Sequence, residues 1–356
     1  MTSASHRLST VQGARGIAAI AVVLAHASTV LGAPLHGIFR AGHAGVDFFF
    51  VLSGFIITLV HHRDIGHPSF LTSYLWRRLI RIYPVYWIAL ALLGLLIASG
   101  IVREVDPVGV LATLFLLPEH HPPLLGVSWT LQHEMLFYLL FALAIVGRRL
   151  GIVVLATWLV LIMASSMRGT AILPWAPASL LWDFVAAPFH LQFMMGIAVA
   201  AVVVINRVPV PRVLLAIGIA GIACTATLED AGWIAYLGLA SKALFGGFSA
   251  CAIAGMAAAE RKGLLTVDAA VTLLGEASYS IYLVHYPAIA MVLAVFAASG
   301  TINIVPAWLM MTMLATTGVV AGIALHLLAE RPILKWLRNP ARITVKGPHH
   351  AARETA

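Results

Sequence analysis

Arg15 and His26 stand eleven positions apart in the otherwise apolar stretch Gln12–Ser28, QGARGIAAIAVVLAHAS. At 100° per residue this spacing is three turns plus about 20°, so on a helix both side chains share one face, roughly 16 Å apart along the axis. That length reaches from a membrane surface to near the bilayer midplane. An ionisable group inside a membrane helix costs about 2.5–3.5 kcal/mol on insertion scales, so each one is a candidate for function. The pair alone suits a proton pathway as well as a catalytic site.

Four further groups could do chemistry. In YLWRRLIRIYPVYW, residues 74–87, Arg77, Arg78 and Arg81 are spaced i, i+3 and i, i+4, so one helical turn gathers three guanidinium groups. Such planar forks bind phosphates bidentately; the same cluster is also what ordinary anchoring of a helix at the membrane surface would use. In GVSWTLQHEMLFY, residues 126–138, Glu134 sits inside an apolar helix and needs a partner on another helix. His133-Glu134 looks like the start of a zinc-protease helix, but Phe137 stands where the second metal ligand belongs, so no metal site is expected. In GEASYSIYLVHYP, residues 275–287, Ser278, Tyr282 and His285 form a polar stripe, suited to hydrogen bonding between helices or to lining a substrate site. Asp47 in GVDFFFVLSGFIIT opens another segment, either as a helix cap at the membrane interface or as a catalytic group.

The elements that must position these residues are membrane helices. The chain of 356 residues is 61% hydrophobic and 10% charged, with a mean hydropathy of +0.96, which describes a polytopic, all-α integral membrane protein. Apolar segments occur near 12–31, 46–62, 82–101, 129–146, 151–166, 186–205, 213–227, 241–259, 278–298 and 306–328, which makes about ten transmembrane helices. A shorter run, Val108–Leu117, is bounded by prolines and reads as interfacial or re-entrant. If it does not cross, most of the 22 Lys and Arg fall on one side of the bilayer, Arg40 and Lys242 being among the few on the other. By the positive-inside rule both termini are then cytoplasmic. A cleavable signal peptide is the rival reading of the first segment, though it would discard the Arg15/His26 pair. The net charge of +8 is spread in short clusters between apolar runs, which argues against nucleic acid as a partner. Cys224 and Cys251 lie inside apolar runs and read as small buried hydrophobes. Residues 1–340 read as one membrane-embedded domain, and 341–356 as a flexible cytoplasmic tail.

Taken together and in order, five blocks resemble one family: RG and H with ten residues between Arg15 and His26, GVDFFFVLSGFIIT, RRLIR at Arg77–Arg81, WTLQHEMLFY and SYSIYLVHYP. They are similar to the membrane-bound acyltransferase 3 family over nearly the whole chain, and most similar to its exopolysaccharide O-acetyltransferase branch. The chain departs from that branch at Gln132-His133, where an Asn-Tyr pair is expected. The resemblance implies transfer of an acyl group, usually acetyl, from cytoplasmic acyl-CoA to a hydroxyl of a glycan or other acceptor. It also implies a bacterial cytoplasmic (inner) membrane location, with the bilayer, acyl-CoA and the acceptor as the partners. His26 would be the catalytic base, Arg15 its partner along the same helix, and Arg77, Arg78 and Arg81 the signature that holds the CoA phosphates. Glu134, Tyr279 and His285 are candidates for orienting His26 or the acceptor. A secondary transporter using Arg15, His26 and Glu134 as a proton or substrate pathway is the alternative from another class.

Overall fold

The computed structural model describes residues 8–32, 37, 39–101, 109–118, 122–168 and 180–338. Every regular element among them is helical: α1 (Ser9–Leu31), α2 (Ala44–His61), α3 (Leu71–Ala98), α4 (Val110–Phe115), α5 (Trp129–Val146), α6 (Arg148–Arg168), α7 (Leu180–Val185), α8 (His190–Val204), α9 (Pro211–Asp230), α10 (Leu239–Arg261), α11 (Ala269–Ala298), α12 (Ala307–Leu325) and α13 (Arg331–Leu337). Ten helical segments are long and apolar enough to cross a membrane, and they match the ten apolar runs of the sequence. The short run near Val108–Leu117 contributes only the six-residue α4, far below a bilayer's thickness. The tail 341–356 lies outside the described residues.

Two helices extend beyond the apolar runs that mark them. The third begins at Leu71, eleven residues before its hydrophobic core, and so carries Arg77, Arg78 and Arg81 as part of its own spiral, with Pro84 inside it. The tenth segment continues from α12 through a π-helical turn, His326–Glu330, into α13. Hydropathy marks the stretch that faces lipid, whereas backbone hydrogen bonding carries a helix on into the polar interface.

Helix α1 lies at the centre, packed against α2, α11 and α12. It approaches α11 at backbone contact, because Gly275 faces the Gln12 carbonyl and Gly16 faces the Leu274–Gly275 peptide. Small residues permit this approach where lipid supplies no hydrophobic drive between helices. The start of α1 is fixed by the Glu260 carboxylate at the end of α10, which accepts from the backbone N–H of Ser9 (2.7 Å) and Thr10 (2.9 Å) and from both hydroxyls (2.5 Å each). A carboxylate there satisfies the first free N–H groups of the helix and complements its dipole. Helix α11 is capped by Asp268, whose side chain accepts from Val271 N–H at 2.9 Å.

Candidate active site

The close crossing of α1 and α11 brings His26 against His285. Their rings stack with centroids 5.0 Å apart, and His26 Nδ1 lies 2.8 Å from His285 Nε2. His285 Nδ1 faces the Ile281 carbonyl at 3.1 Å. A carbonyl only accepts, so His285 carries its proton on Nδ1 and offers the Nε2 lone pair to the N–H at His26 Nδ1. That assignment leaves the basic lone pair of His26 on Nε2. His285 is fully buried, while His26 is partly exposed in a cavity of about 150 Å³ that Arg40, His43, Trp129, Tyr236 and Lys242 also line.

A second cavity, of about 160 Å³, contains the other end of the α1 face. Arg15, Arg78, Arg81, Glu134, Ser278 and Tyr279 line it, and it shares Val46 and Tyr282 with the histidine cavity. The two side chains three turns apart on α1 therefore line two separate chambers whose walls share Val46 and Tyr282. The Tyr282 ring is held there by its hydroxyl, 3.0 Å from Thr130 Oγ1 and 3.2 Å from the Val127 carbonyl.

The arginines differ in what occupies them. Arg81 is ion-paired with Glu330, a fully buried carboxylate that also accepts from Ser280 Oγ at 2.7 Å and faces His326 Nδ1 at 2.8 Å. The guanidinium of Arg81 lies over the Tyr279 ring at 5.3 Å. Arg78 lies 5.8 Å from the rings of both Tyr74 and Tyr138 and donates to His61 Nε2 at 3.2 Å; its buried Nε finds no partner among the described residues. Arg15 donates to Gln12 Oε1 at 3.1 Å. Neither Arg15 nor Arg78 has a carboxylate within ion-pair distance among the described residues, although Glu134 lines the same cavity. Arg77 is exposed and lies outside the cavity lining.

Of the candidates for orienting His26, only His285 touches it. Glu134 belongs to the arginine cavity, where it accepts from Ser53 Oγ at 2.7 Å and from the Tyr138 hydroxyl at 2.5 Å. Tyr279 donates to the Ile82 carbonyl at 2.8 Å in the same chamber. The Ser278 hydroxyl there is buried and unpartnered among the described residues.

Sequence reasoning missed the polar knots that frame the chambers, because each joins residues far apart in the chain. Asp47, fully buried, accepts from Lys242 Nζ at 2.9 Å and from Gln192, tying α2, α8 and α10 together rather than capping a helix. Glu229 accepts from Ser241 Oγ (2.8 Å) and Leu237 N–H (3.1 Å) and meets His43 Nε2 at 2.6 Å. His133 Nδ1 lies 2.9 Å from His190 Nε2, whose Nδ1 faces the Val185 carbonyl at 3.0 Å, so the unusual Gln132-His133 pair supplies a second buried histidine couple. Among the described residues no three groups of metal-ligating type converge.

The sequence of residues 9–327 matches the family model described as "Acyltransferase domain". The exopolysaccharide production protein ExoZ of Rhizobium meliloti is 32% identical over 321 residues, covering 87% of this chain and 94% of that protein. The acyltransferase MdmB of Streptomyces mycarofaciens is 28% identical, covering 93% of this chain and 92% of its own. No solved structure matches the chain. Family membership also decides between the enzyme and transporter readings of the Arg15/His26 face: this chain belongs to the membrane-bound acyltransferase 3 family and is a transferase of acyl groups other than aminoacyl groups.

Proposed function

We propose that the protein is a membrane O-acyltransferase that moves an acyl group, most simply acetyl, from acyl-CoA to a hydroxyl of an exported or cell-surface glycan. The observation that carries this reading is a pair of neighbouring chambers divided by Val46 and Tyr282, with arginines lining one and His26, backed by His285, lining the other. Acyl-CoA enters the arginine chamber from the cytoplasm of a bacterium, across its inner membrane, with both termini on that side. Arg78 and Arg81 hold its phosphates from the chamber wall, with Arg77 on the exposed surface outside it, and Arg15 guides the thin arm that carries the thioester toward Tyr282. The ion pair to Glu330 holds Arg81 at the chamber wall, and Glu134 offsets part of the positive charge.

At Tyr282 the thioester carbonyl meets the acceptor hydroxyl. His26 Nε2 takes the hydroxyl proton as the oxygen attacks, and returns it to the departing thiolate as the carbon–sulfur bond breaks. His285, anchored on the Ile281 carbonyl, keeps the second nitrogen of His26 protonated, so that Nε2 is the basic atom. His285 is thus a positioning residue. The Rhizobium relative is named for exopolysaccharide production, which favours a glycan over a small molecule as the acceptor.

Membranes containing the protein, given radiolabelled acetyl-CoA and an extract of exported polysaccharide, should label the polysaccharide, and His26→Ala should abolish the labelling. Full labelling by His26→Ala would refute the role of His26; no labelling by the wild-type chain with any donor would refute the acyl-CoA reading.

A further inference from the structure

The cations that line the two chambers divide into those that are spoken for and those that are not. In the histidine chamber Lys242 is spent on both oxygens of Asp47, at 2.9 and 3.2 Å. Both carboxylates near it are saturated by the bonds from Gln192, Lys242, Ser241, Leu237 and His43 described above. Arg40 is the exception. Its guanidinium lies 4.8 Å over the Tyr236 ring, donates one long bond of 3.4 Å to the Glu229 backbone carbonyl, and has no carboxylate in ion-pair range among the described residues. Four of its five N–H donors have no partner among the described residues, on a planar fork that lies against the Tyr236 ring. Burial and the neighbouring Glu229 carboxylate raise Tyr236 above the ordinary phenol range, so its hydroxyl stays neutral and able to donate.

We propose that Arg40 makes the histidine chamber an anion-reading acceptor pocket, which selects a sugar bearing a carboxylate or phosphate near the hydroxyl to be acylated. This rests on the reading of that chamber as the acceptor side. Arg40 and His26 line the same cavity, so an acceptor held by its anionic group at Arg40 presents a neighbouring hydroxyl toward His26 Nε2. Trp129 supplies an apolar wall for the ring of the sugar. At about 150 Å³ the chamber is smaller than the roughly 300–1,000 Å³ of pockets that enclose a drug-sized ligand, so it takes the reacting sugar and leaves the rest of the acceptor outside.

The test is binding without acyl-CoA, measured by calorimetry on the full chain in nanodiscs of phosphatidylcholine. The probes are methyl glucuronide, a hexose phosphate and neutral methyl glucoside. The expected result is that at least one anionic probe binds about tenfold or more tightly than the glucoside. Arg40→Gln should erase that preference and Arg40→Lys should keep part of it. Equal or absent binding of the anionic probes, or a preference that survives Arg40→Gln in a monodisperse protein, overturns the proposal. So does Arg40-dependent capture of phosphatidylglycerol in place of both sugars, which would make the site one for a lipid headgroup. A parallel transfer assay separates the two readings: transfer without anion preference removes only Arg40's role, whereas Arg40-dependent binding with no transfer removes only the acyl-transfer reading of the chamber.

Discussion

Replacing His285 with Phe keeps a ring of similar size in a fully buried position and removes the acceptor for the His26 Nδ1 proton, 2.8 Å away, together with the bond from His285 Nδ1 to the Ile281 carbonyl. Loss of one neutral hydrogen bond is worth about 1 kcal/mol. A freed His26 then divides between its two tautomers, so only about half of the molecules present a basic Nε2, and the ring gains rotational freedom that costs a further fraction of a kcal/mol. The sum, about 1.5–2 kcal/mol, corresponds to a fall in kcat of roughly 10- to 30-fold. Removing the base itself in His26→Ala should cost more, about 10²–10⁴-fold. The assay is acyl transfer from radiolabelled acetyl-CoA at saturating donor, with the KM for acetyl-CoA expected to stay unchanged in His285→Phe. His285→Gln, whose amide oxygen can accept from Nδ1, should recover part of the loss, which a merely space-filling role for His285 would not allow. Because the two residues act as a unit, the double variant should be no slower than His26→Ala alone. Wild-type kcat in His285→Phe would refute the tautomer argument, and a loss as deep as that of His26→Ala would make His285 the base.

Other variants probe the remaining parts. Arg78→Ala should weaken acetyl-CoA binding by about tenfold or more, and Arg77→Ala, exposed and outside the lining, by less, as read by equilibrium binding to detergent-solubilised protein. Glu330→Gln strands the Arg81 guanidinium and loosens Ser280 and His326, and should destabilise the protein by about 3–5 kcal/mol, seen as a lower midpoint in thermal unfolding. Tyr282→Ala removes part of the wall that the chambers share and should raise transfer of butyryl relative to acetyl groups; an unchanged donor preference would mean that chain length is set elsewhere.

The ten crossings were legible because each is a continuous apolar run, and the pairing of Arg15 with His26 was legible because helical period alone puts them on one face. Local pattern could not say that this face opens into two chambers. That depends on α11 lying in backbone contact with α1 at Gly275, a property of two segments more than 250 positions apart. The same limit hid the partners of the buried charges. Lys242 reads only as one of the few cations on the weakly basic side, yet it is buried at 1% exposure against Asp47. Glu330 sits in a stretch rich in basic residues and gives no local sign that it holds Arg81. Glu134 did signal that it needed a partner, but that partner is a serine and a tyrosine of the arginine chamber rather than His26.

The distribution of charge gives the strongest physical reason to place ligands where the two chambers are. Separating an ionised group from water inside a bilayer is expensive, and a fold that must carry such groups spends carboxylates to neutralise them. This chain does so for structure: Glu330 takes Arg81 and Asp47 takes Lys242, each carboxylate accepting from a further side chain as well. Had neutralisation been the sole requirement, the same economy would have reached Arg15, Arg78 and Arg40. Among the described residues none of the three forms an ion pair, Glu134 sharing only the cavity wall with Arg15 and Arg78, and all three line the cavities. A guanidinium left without a carboxylate is tolerable in such a place if an anion arrives there during the working cycle, because the ligand then supplies the missing countercharge. Arg78 stands where the proposed donor brings phosphates, Arg15 lies farther along the same chamber, and Arg40 lines the chamber of His26. On this reasoning the proposed phosphate-bearing donor and the proposed anionic acceptor would each supply a countercharge that the arginines of their chamber lack among the described residues.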